Sequence, residues 1–514
     1  MKYNKLIWIA LFVFSAAYNF PIIKEYLYLC DEGTILVGAE RILKGHLPYA
    51  DFWSVYPPGQ FYLLAFIFKL FGSSVLIERI YDITVKSLLC MVSFLITRKL
   101  GFSNKISIIS FGMSLVWIGY SGFQGYPVYT AMVFIFIGVY FFMHYIEKAQ
   151  NHWLIYCGFF VTSGAMFRHD LAGMAAVVIL IALFLRKITD TQTTWHPILY
   201  YFFAVLLSGV PIAAYLINAI GIEPIVNQLI WTPMEIMQKY RGLPYPFYFS
   251  FESIPFFLFP GILLVGLIIS LVLIIKDKTN TKFSYGLFIL SFMGILFLNQ
   301  VRVRSDIIHL LPAALVGVII LPSLYSFALS SQVKPISVAR SIAVFIFVVL
   351  IGAIFIGPVA MKVETFKKDY FEMPKRSVIP RAGYSSMTND LRDLVLYIQN
   401  NTTENDTIYI GVKNHDQFII SDIVIYFLAG RNYSTKYHEL CPGVTNRPEI
   451  QREIINEIKK SPTKIVVLSP GYWYEPNYTR FDARTNILDD YISENFELVK
   501  RFKEYEVWMN KSLN

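Results

Sequence analysis

The chain has 514 residues, of which 55% are hydrophobic and only 16% are charged, whereas ordinary soluble domains carry roughly a quarter charged residues. Aromatics reach 17%, with 43 Phe and 34 Tyr, and this much apolar surface calls for a bilayer. Much of the net charge of +9 lies in short loops between apolar runs, the pattern by which membrane proteins set orientation; no nucleic-acid partner is expected.

The first apolar run, 6–23, follows Met1 to Lys5, lacks a small-residue cleavage site and continues through Pro21 to Lys24. It reads as a retained helix, not a signal peptide. Further spans are predicted at 79–98, 105–121, 128–146, 153–168, 170–187, 197–219, 254–275, 283–299, 307–328 and 340–360. That makes about eleven helices, each near the ~20 residues a bilayer requires. Lys2 and Lys5, Arg98, Lys99 and Lys105, Lys148, Arg186 and Lys187, Lys276 to Lys282, and Lys334 with Arg340 fall on one side, which the positive-inside rule makes the cytoplasm. Everything after residue 360 is then outside.

Within the first external loop, 25–78, two short helices are expected. Thr34 to Lys44 alternates Ile35, Leu36, Ile42 and Leu43 with Glu40, Arg41 and Lys44, which suits a helix lying in the membrane interface. Pro57 to Phe71 is apolar but short, and is read as re-entrant or juxtamembrane, since spanning would turn the basic loops outward. Glu78, Asp82 and Lys86 are four apart, so they share a helix face, with Asp82 and Lys86 expected to pair inside the bundle.

The composition changes near residue 361. Short apolar runs at Thr407–Val412 and Lys464–Leu468 read as strands, Asp416–Leu428 and Glu449–Lys459 as helices, and Phe496 to Met509 as two strands. The fold class is therefore an α-helical polytopic membrane protein, 1–360, with a C-terminal soluble α/β domain, 361–514. Cys90 and Cys157 lie in apolar segments, whereas Cys30 and Cys441 share the outer side, where a disulfide is open to them. Asn401, Asn405, Asn432 and Asn477 head Asn-x-Ser/Thr sequences in the outer domain.

The chemistry is read from charge placed where charge is costly. Asp31-Glu32 stands just past the first helix; an acidic pair at an interface can move protons, or can simply be solvated. It is followed by Gly45, Pro48-Tyr49, Asp51-Phe52, Tyr56-Pro57-Pro58-Gly59, and an apolar run closing with Lys69-Leu70-Phe71-Gly72. In this order the string resembles the first external loop of the GT-C glycosyltransferases, specifically the protein O-mannosyltransferases and the aminoarabinose transferases that modify lipid A. The resemblance implies a GT-C bundle and a polyprenyl-phosphate monosaccharide donor used on the outer face with inversion. It also implies that Asp31 occupies the place of the catalytic base or acceptor-orienting group, with Glu32 as its neighbour. One position departs: Tyr56 stands where the aminoarabinose transferases carry a Lys before the Pro pair, so a donor-phosphate contact made by that Lys does not carry over.

Transfer from a lipid phosphate needs a base for an acceptor hydroxyl and cations for the leaving phosphate. Arg168, in Arg168-His169-Asp170, and Arg302 and Arg304, in the run to Asp306 and His309, are the donor-phosphate candidates. Arg168 could equally pair with Asp170, and the second run could equally be a salt-bridged helix start. Tyr49, Asp51, Tyr56 and His309 are candidates to line a donor or acceptor groove. A divalent metal at Asp31 and Glu32 is left open; no phosphate-cradling glycine loop or zinc-spaced Cys/His cluster occurs. The expected protein is a plasma- or inner-membrane glycosyltransferase acting on a lipid, glycan or protein acceptor among membrane lipids. An O-antigen ligase or polymerase is the competing enzyme, without the Asp-Glu then Pro-Pro order. A lipid-linked sugar transporter or flippase is the non-enzyme competitor, and would more often show internal duplication.

Overall fold

Apolar runs of bilayer length hide their own backbone groups only as helices, and ten of the eleven expected runs are helical in the computed structural model. It describes residues 2–330, 375–471 and 485–512 with short interruptions (121–122, 191–192, 249, 251, 277–280 and 418), plus isolated positions between 352 and 363. The eleventh expected span, 340–360, falls largely outside these residues. Helix α1 (Lys2–Asn19) runs into a 3-10 turn, Phe20–Lys24, with Pro21 at its second position. Two short helices follow, α2 (Asp31–Leu43) and α3 (Gly59–Phe71), then α4 (Val75–Lys99), α5 (Asn104–Tyr120), α6 (Pro127–Lys148), α7 (His152–Ala165), α8 (His169–Thr189) and α9 (His196–Ile220). A short helix (Ile222–Val226), a π-helical stretch (Asn227–Met237) and one more α turn (Gln238–Arg241) precede α10 (Ile254–Lys276), α11 (Thr281–Phe297) and α12 (Ile307–Ser330).

Among the described residues, eight helices are long and apolar enough to cross a bilayer. Of the three further expected spans, 340–360 lies largely outside the described residues and two form shorter helices. Helix α5 has 17 residues and α7 has 14; at ~1.5 Å per residue they reach about 26 and 21 Å, short of the ~30 Å hydrocarbon core. Helix α5 packs against α4 and α12, and α7 against α6 and α9. Helix α3, with 13 residues, is shorter still at about 20 Å, as its juxtamembrane reading requires. Asp82 and Lys86 pair within α4 at 2.7 Å, both buried.

The C-terminal part is a five-stranded sheet in the order β2-β1-β3-β5-β4. The strands are β1 (Thr407–Val412), β2 (Asn432–Tyr433), β3 (Thr463–Ser469), β4 (Phe496–Phe502) and β5 (Tyr505–Asn510). Strands β2, β1 and β3 run parallel, and β5 and β4 are antiparallel to their neighbours. Its helices are α13 (Asn389–Asn401), α14 (Val424–Ala429), α15 (Pro448–Lys460) and α16 (Ile487–Asn495). Thr388 caps α13, its hydroxyl accepting the Leu391 N–H at 3.2 Å. Only the second half of the expected helix 416–428 forms.

This domain is joined to the long loop after α1 by main-chain hydrogen bonds: Val424 N–H to the Leu29 carbonyl at 2.9 Å, and Trp53 N–H to the Lys436 carbonyl at 3.1 Å. Gly33 makes the first approach possible, since a Cβ there would stand 2.5 Å from the Val424 nitrogen. Phe68 stacks on Phe427 with ring centroids 5.9 Å apart, a contact worth about 0.5–1.5 kcal/mol beyond burial. Helix α2 is therefore enclosed by protein, which corrects its reading as an interfacial helix. Glu40 is 4% exposed and Arg41 3%. Glu40 accepts from Arg381 and, at 3.2 Å, from Tyr433. Arg41 donates to the Thr435 carbonyl at 3.0 Å and the Asp51 carbonyl at 2.8 Å. Cys30 and Cys441 are both free thiols, so the disulfide open to them in the sequence is not formed.

Candidate active site

The start of α2 places two adjacent carboxylates in opposite environments. Glu32 is fully buried in a bidentate pair with Arg79, Nε to Oε1 at 2.8 Å and Nη2 to Oε2 at 3.0 Å. Its Oε2 also accepts the Tyr28 N–H at 2.9 Å. The same guanidinium donates to the carbonyls of Ile22 (2.8 Å), Glu25 (2.7 Å) and Tyr26 (3.2 Å). Arg79 thus folds the chain between α1 and α2 around itself. Glu32 is thus tied to Arg79 and to the Tyr28 N–H. Among the described residues no group of three His, Cys, Asp or Glu is placed to hold an ion.

Asp31 faces the other way, into a cavity of ≈ 440 Å³. Tyr56, Arg168, Arg241, Arg304 and Glu439 line the same space. Its walls come from the α2 start, the loop before α3, the α7–α8 junction, the turn after the π-helical stretch, the segment before α12, and the C-terminal domain. The N–H groups that open α2 favour a negative charge at Asp31. Gly59 fixes the floor: its N–H donates to the Met166 carbonyl at 2.8 Å, and a Cβ would lie 2.6 Å from that oxygen. Tyr56 and Pro57 are thereby held against Arg168.

The arginines are aimed by carboxylates. Arg168 grips Asp170 through Nε (3.0 Å) and Nη2 (2.8 Å), and Asp170 Oδ2 accepts from Gln300 at 2.8 Å. Arg304 donates from Nε to Asp306 Oδ2 at 2.8 Å and from Nη1 to the Arg241 carbonyl at 3.0 Å. Asp306 Oδ1 accepts from the His309 N–H at 2.9 Å and faces His309 Nδ1 at 2.7 Å. Burial opposes its charge, but the His309 contacts outweigh it and hold the carboxyl down to about 2. Both the structural pairing and the cavity position weighed for Arg168 and Arg304 therefore hold at once.

Of the candidates read from sequence, Asp31, Tyr56, Arg168, Arg304 and His309 converge on the cavity. Arg302 does not; it is exposed and donates to Asn299 Oδ1 at 3.0 Å. Tyr49 stands behind the wall, in a left-handed conformation (φ 69°). Its hydroxyl donates to the Tyr56 carbonyl at 2.8 Å and its own carbonyl accepts from Gln228 at 2.9 Å. Asp51 closes a surface turn, accepting the Leu47 N–H at 2.7 Å. Two charged lining residues were missed. Arg241 carried a signal, because Gln238-Lys239-Tyr240-Arg241 is a basic run on the side where the positive-inside rule expects few. Glu439 carried none.

Residues 55–215 match the family model described as dolichyl-phosphate-mannose-protein mannosyltransferase. The match covers Tyr56 and Arg168 and begins after Asp31. No curated protein matches the chain. Two crystal structures of ArnT from Cupriavidus metallidurans share its fold at 14% identity. One, bound to undecaprenyl phosphate, has a TM-score of 0.56 over 98% of this chain and 97% of its own. The other, in the apo state, has a TM-score of 0.50 over 99% of both. The stretch from α3 to α9 is thus similar to the mannosyltransferase family, and this integral membrane protein shares over its whole length the fold of the ArnT structures.

Proposed function

We propose that the protein transfers a monosaccharide from a polyprenyl-phosphate donor to an acceptor hydroxyl on the outer face of the membrane, inverting the sugar. The observation that carries this reading is the cavity itself, whose lining brings Asp31 together with three guanidiniums, Arg168, Arg241 and Arg304. The first supports a base and the second a phosphate clamp. The ArnT structure of the same fold is described as bound to undecaprenyl phosphate, which supports the donor class.

In this mechanism Asp31 accepts the acceptor's hydroxyl proton as the oxygen attacks the anomeric carbon. The bond from that carbon to the phosphate oxygen breaks on the opposite face, and its electron pair leaves with the phosphate. Arg168 and Arg304, fixed by Asp170 and Asp306, meet the growing phosphate charge without having to reorganise. Tyr49 takes no part in bonding and holds the Tyr56 backbone in place.

The test is sugar transfer or donor hydrolysis by the purified protein in lipid nanodiscs, across a panel of polyprenyl-phosphate monosaccharides. Turnover of one donor, lost in Asp31→Asn, establishes the class and names the sugar. A folded protein that turns over none of them refutes the reading in favour of a pyrophosphate-linked donor, as an O-antigen ligase or polymerase would use, or a transporter.

A further inference from the structure

Asp31 and Glu439 reach the cavity from distant parts of the chain. Asp31 opens α2, and Thr34, three residues on, lies on the same helix face. The Thr34 hydroxyl donates at 3.5 Å to Glu439 Oε2. Glu439 belongs to the segment between β2 and α15, is 5% exposed, and lines the cavity. It therefore stands over the turn of helix that presents Asp31. The groups facing it are Asp31 and Thr34 from α2, the Cys30 thiol at the start of that helix, the Tyr56 phenol from the loop before α3, and the Arg241 guanidinium. Asp31 and Glu439 both act on the Tyr56 phenol, which burial pushes well above its ordinary range.

We propose that Glu439 is a positioning residue for the transfer step: its carboxylate beside Asp31 makes Asp31 the stronger base, so the C-terminal domain supplies part of the acid–base chemistry. This rests on reading Asp31 as the base. Glu439 forms no bond in the step; its negative charge raises the proton affinity of the neighbouring carboxylate, as a like charge must. Burial lifts Glu439 to about 7, with Asp31 adding to the rise while Arg241 and the Thr34 hydrogen bond oppose it. The pair thus changes charge near neutral pH, and the transfer rate increases as Glu439 loses its proton.

The test uses the full chain in nanodiscs with the donor that the panel identifies. It measures kcat/KM from about pH 5.5 to about 9 for the wild type, Glu439→Gln, Glu439→Asp and Thr34→Val. Wild type is expected to rise with a midpoint near 7. Glu439→Gln loses that rise and falls about tenfold below the wild-type plateau at high pH. Glu439→Asp keeps the rise, and Thr34→Val, which removes a hydrogen bond to the ionised carboxyl, moves its midpoint upward. A Glu439→Gln profile with the wild-type shape at a uniformly lower rate means a packing role and overturns the proposal. A second measurement needs no turnover: infrared titration of the carboxyl band that Asp31→Asn removes. Its midpoint is expected to fall in Glu439→Gln, and an unmoved midpoint overturns the proposal. Wild type inert with every donor refutes the donor reading, and the infrared titration then decides this inference alone. Where Glu439→Gln does not fold, Thr34→Val decides both readouts.

Discussion

The two sides of the first turn of α2 hold the same chemistry in opposite settings. Behind the helix, Glu32 and Arg79 form an arginine–carboxylate pair that is closed on itself and fully buried. In front, Arg168–Asp170 and Arg304–Asp306 are pairs of the same kind, partly exposed at the cavity wall. A pair whose donors are spent on the Glu32 carboxylate and the carbonyls of residues 22–26 stabilises a loop. One standing beside open space is a cation already oriented for an incoming anion. Neighbouring charges along the sequence thus divide by what surrounds them, and Asp31 and Glu32 do so across one peptide bond.

The comparison is broken most severely at Arg79. Arg79→Ala leaves Glu32 buried without its partner, at a cost of about 3–5 kcal/mol, and leaves the carbonyls of Ile22, Glu25 and Tyr26 without their donor. Loss of folded, monodisperse protein is expected by size exclusion and thermal melt, and a melting temperature within a few degrees of wild type would refute the anchor role. Asp31→Asn is expected to reverse the pattern, with turnover falling about 10²–10⁴-fold and the melt unchanged. Arg304→Gln should lower kcat/KM for the donor about tenfold or more, through a lost charge-assisted contact of roughly 1.5–3 kcal/mol. Radiolabelled donor turnover measures it. Arg302→Gln sharpens the contrast, since its side chain points away from the cavity: kcat/KM should stay at wild type and stability within ±0.5 kcal/mol, about the usual surface range.

The membrane part was legible because a bilayer marks its helices by composition, and Asp82–Lys86 because a pair four apart on a helix needs no distant information. Helix α7 ends at Ala165, three residues before the expected end at 168, because hydropathy does not register where a helix stops. The surroundings of α2 were not legible. Its alternation of Ile35, Leu36 and Ile42 with Glu40 and Arg41 is the same whether lipid or protein covers it. What covers it, Arg381, Tyr433 and Thr435, lies more than 300 residues away. Arg79 was not singled out in the sequence for the same reason, because its partner is 47 residues upstream. In the site, Asp31, Arg168 and Arg304 stood out as charges beside apolar runs. Glu439 sits in a polar domain where one more carboxylate carries no contrast.

The contacts between Leu29 and Val424, between Trp53 and Lys436, and between Glu40 and Arg381 also bear on biogenesis. A ribosome delivers the bundle long before the sheet, and until α14 and Glu439 arrive, α2 is covered only by the bundle side and the cavity lacks a wall. The site is completed only when the last third of the chain has folded onto the loop between α1 and α3. A chain truncated before the sheet lacks one wall of the site.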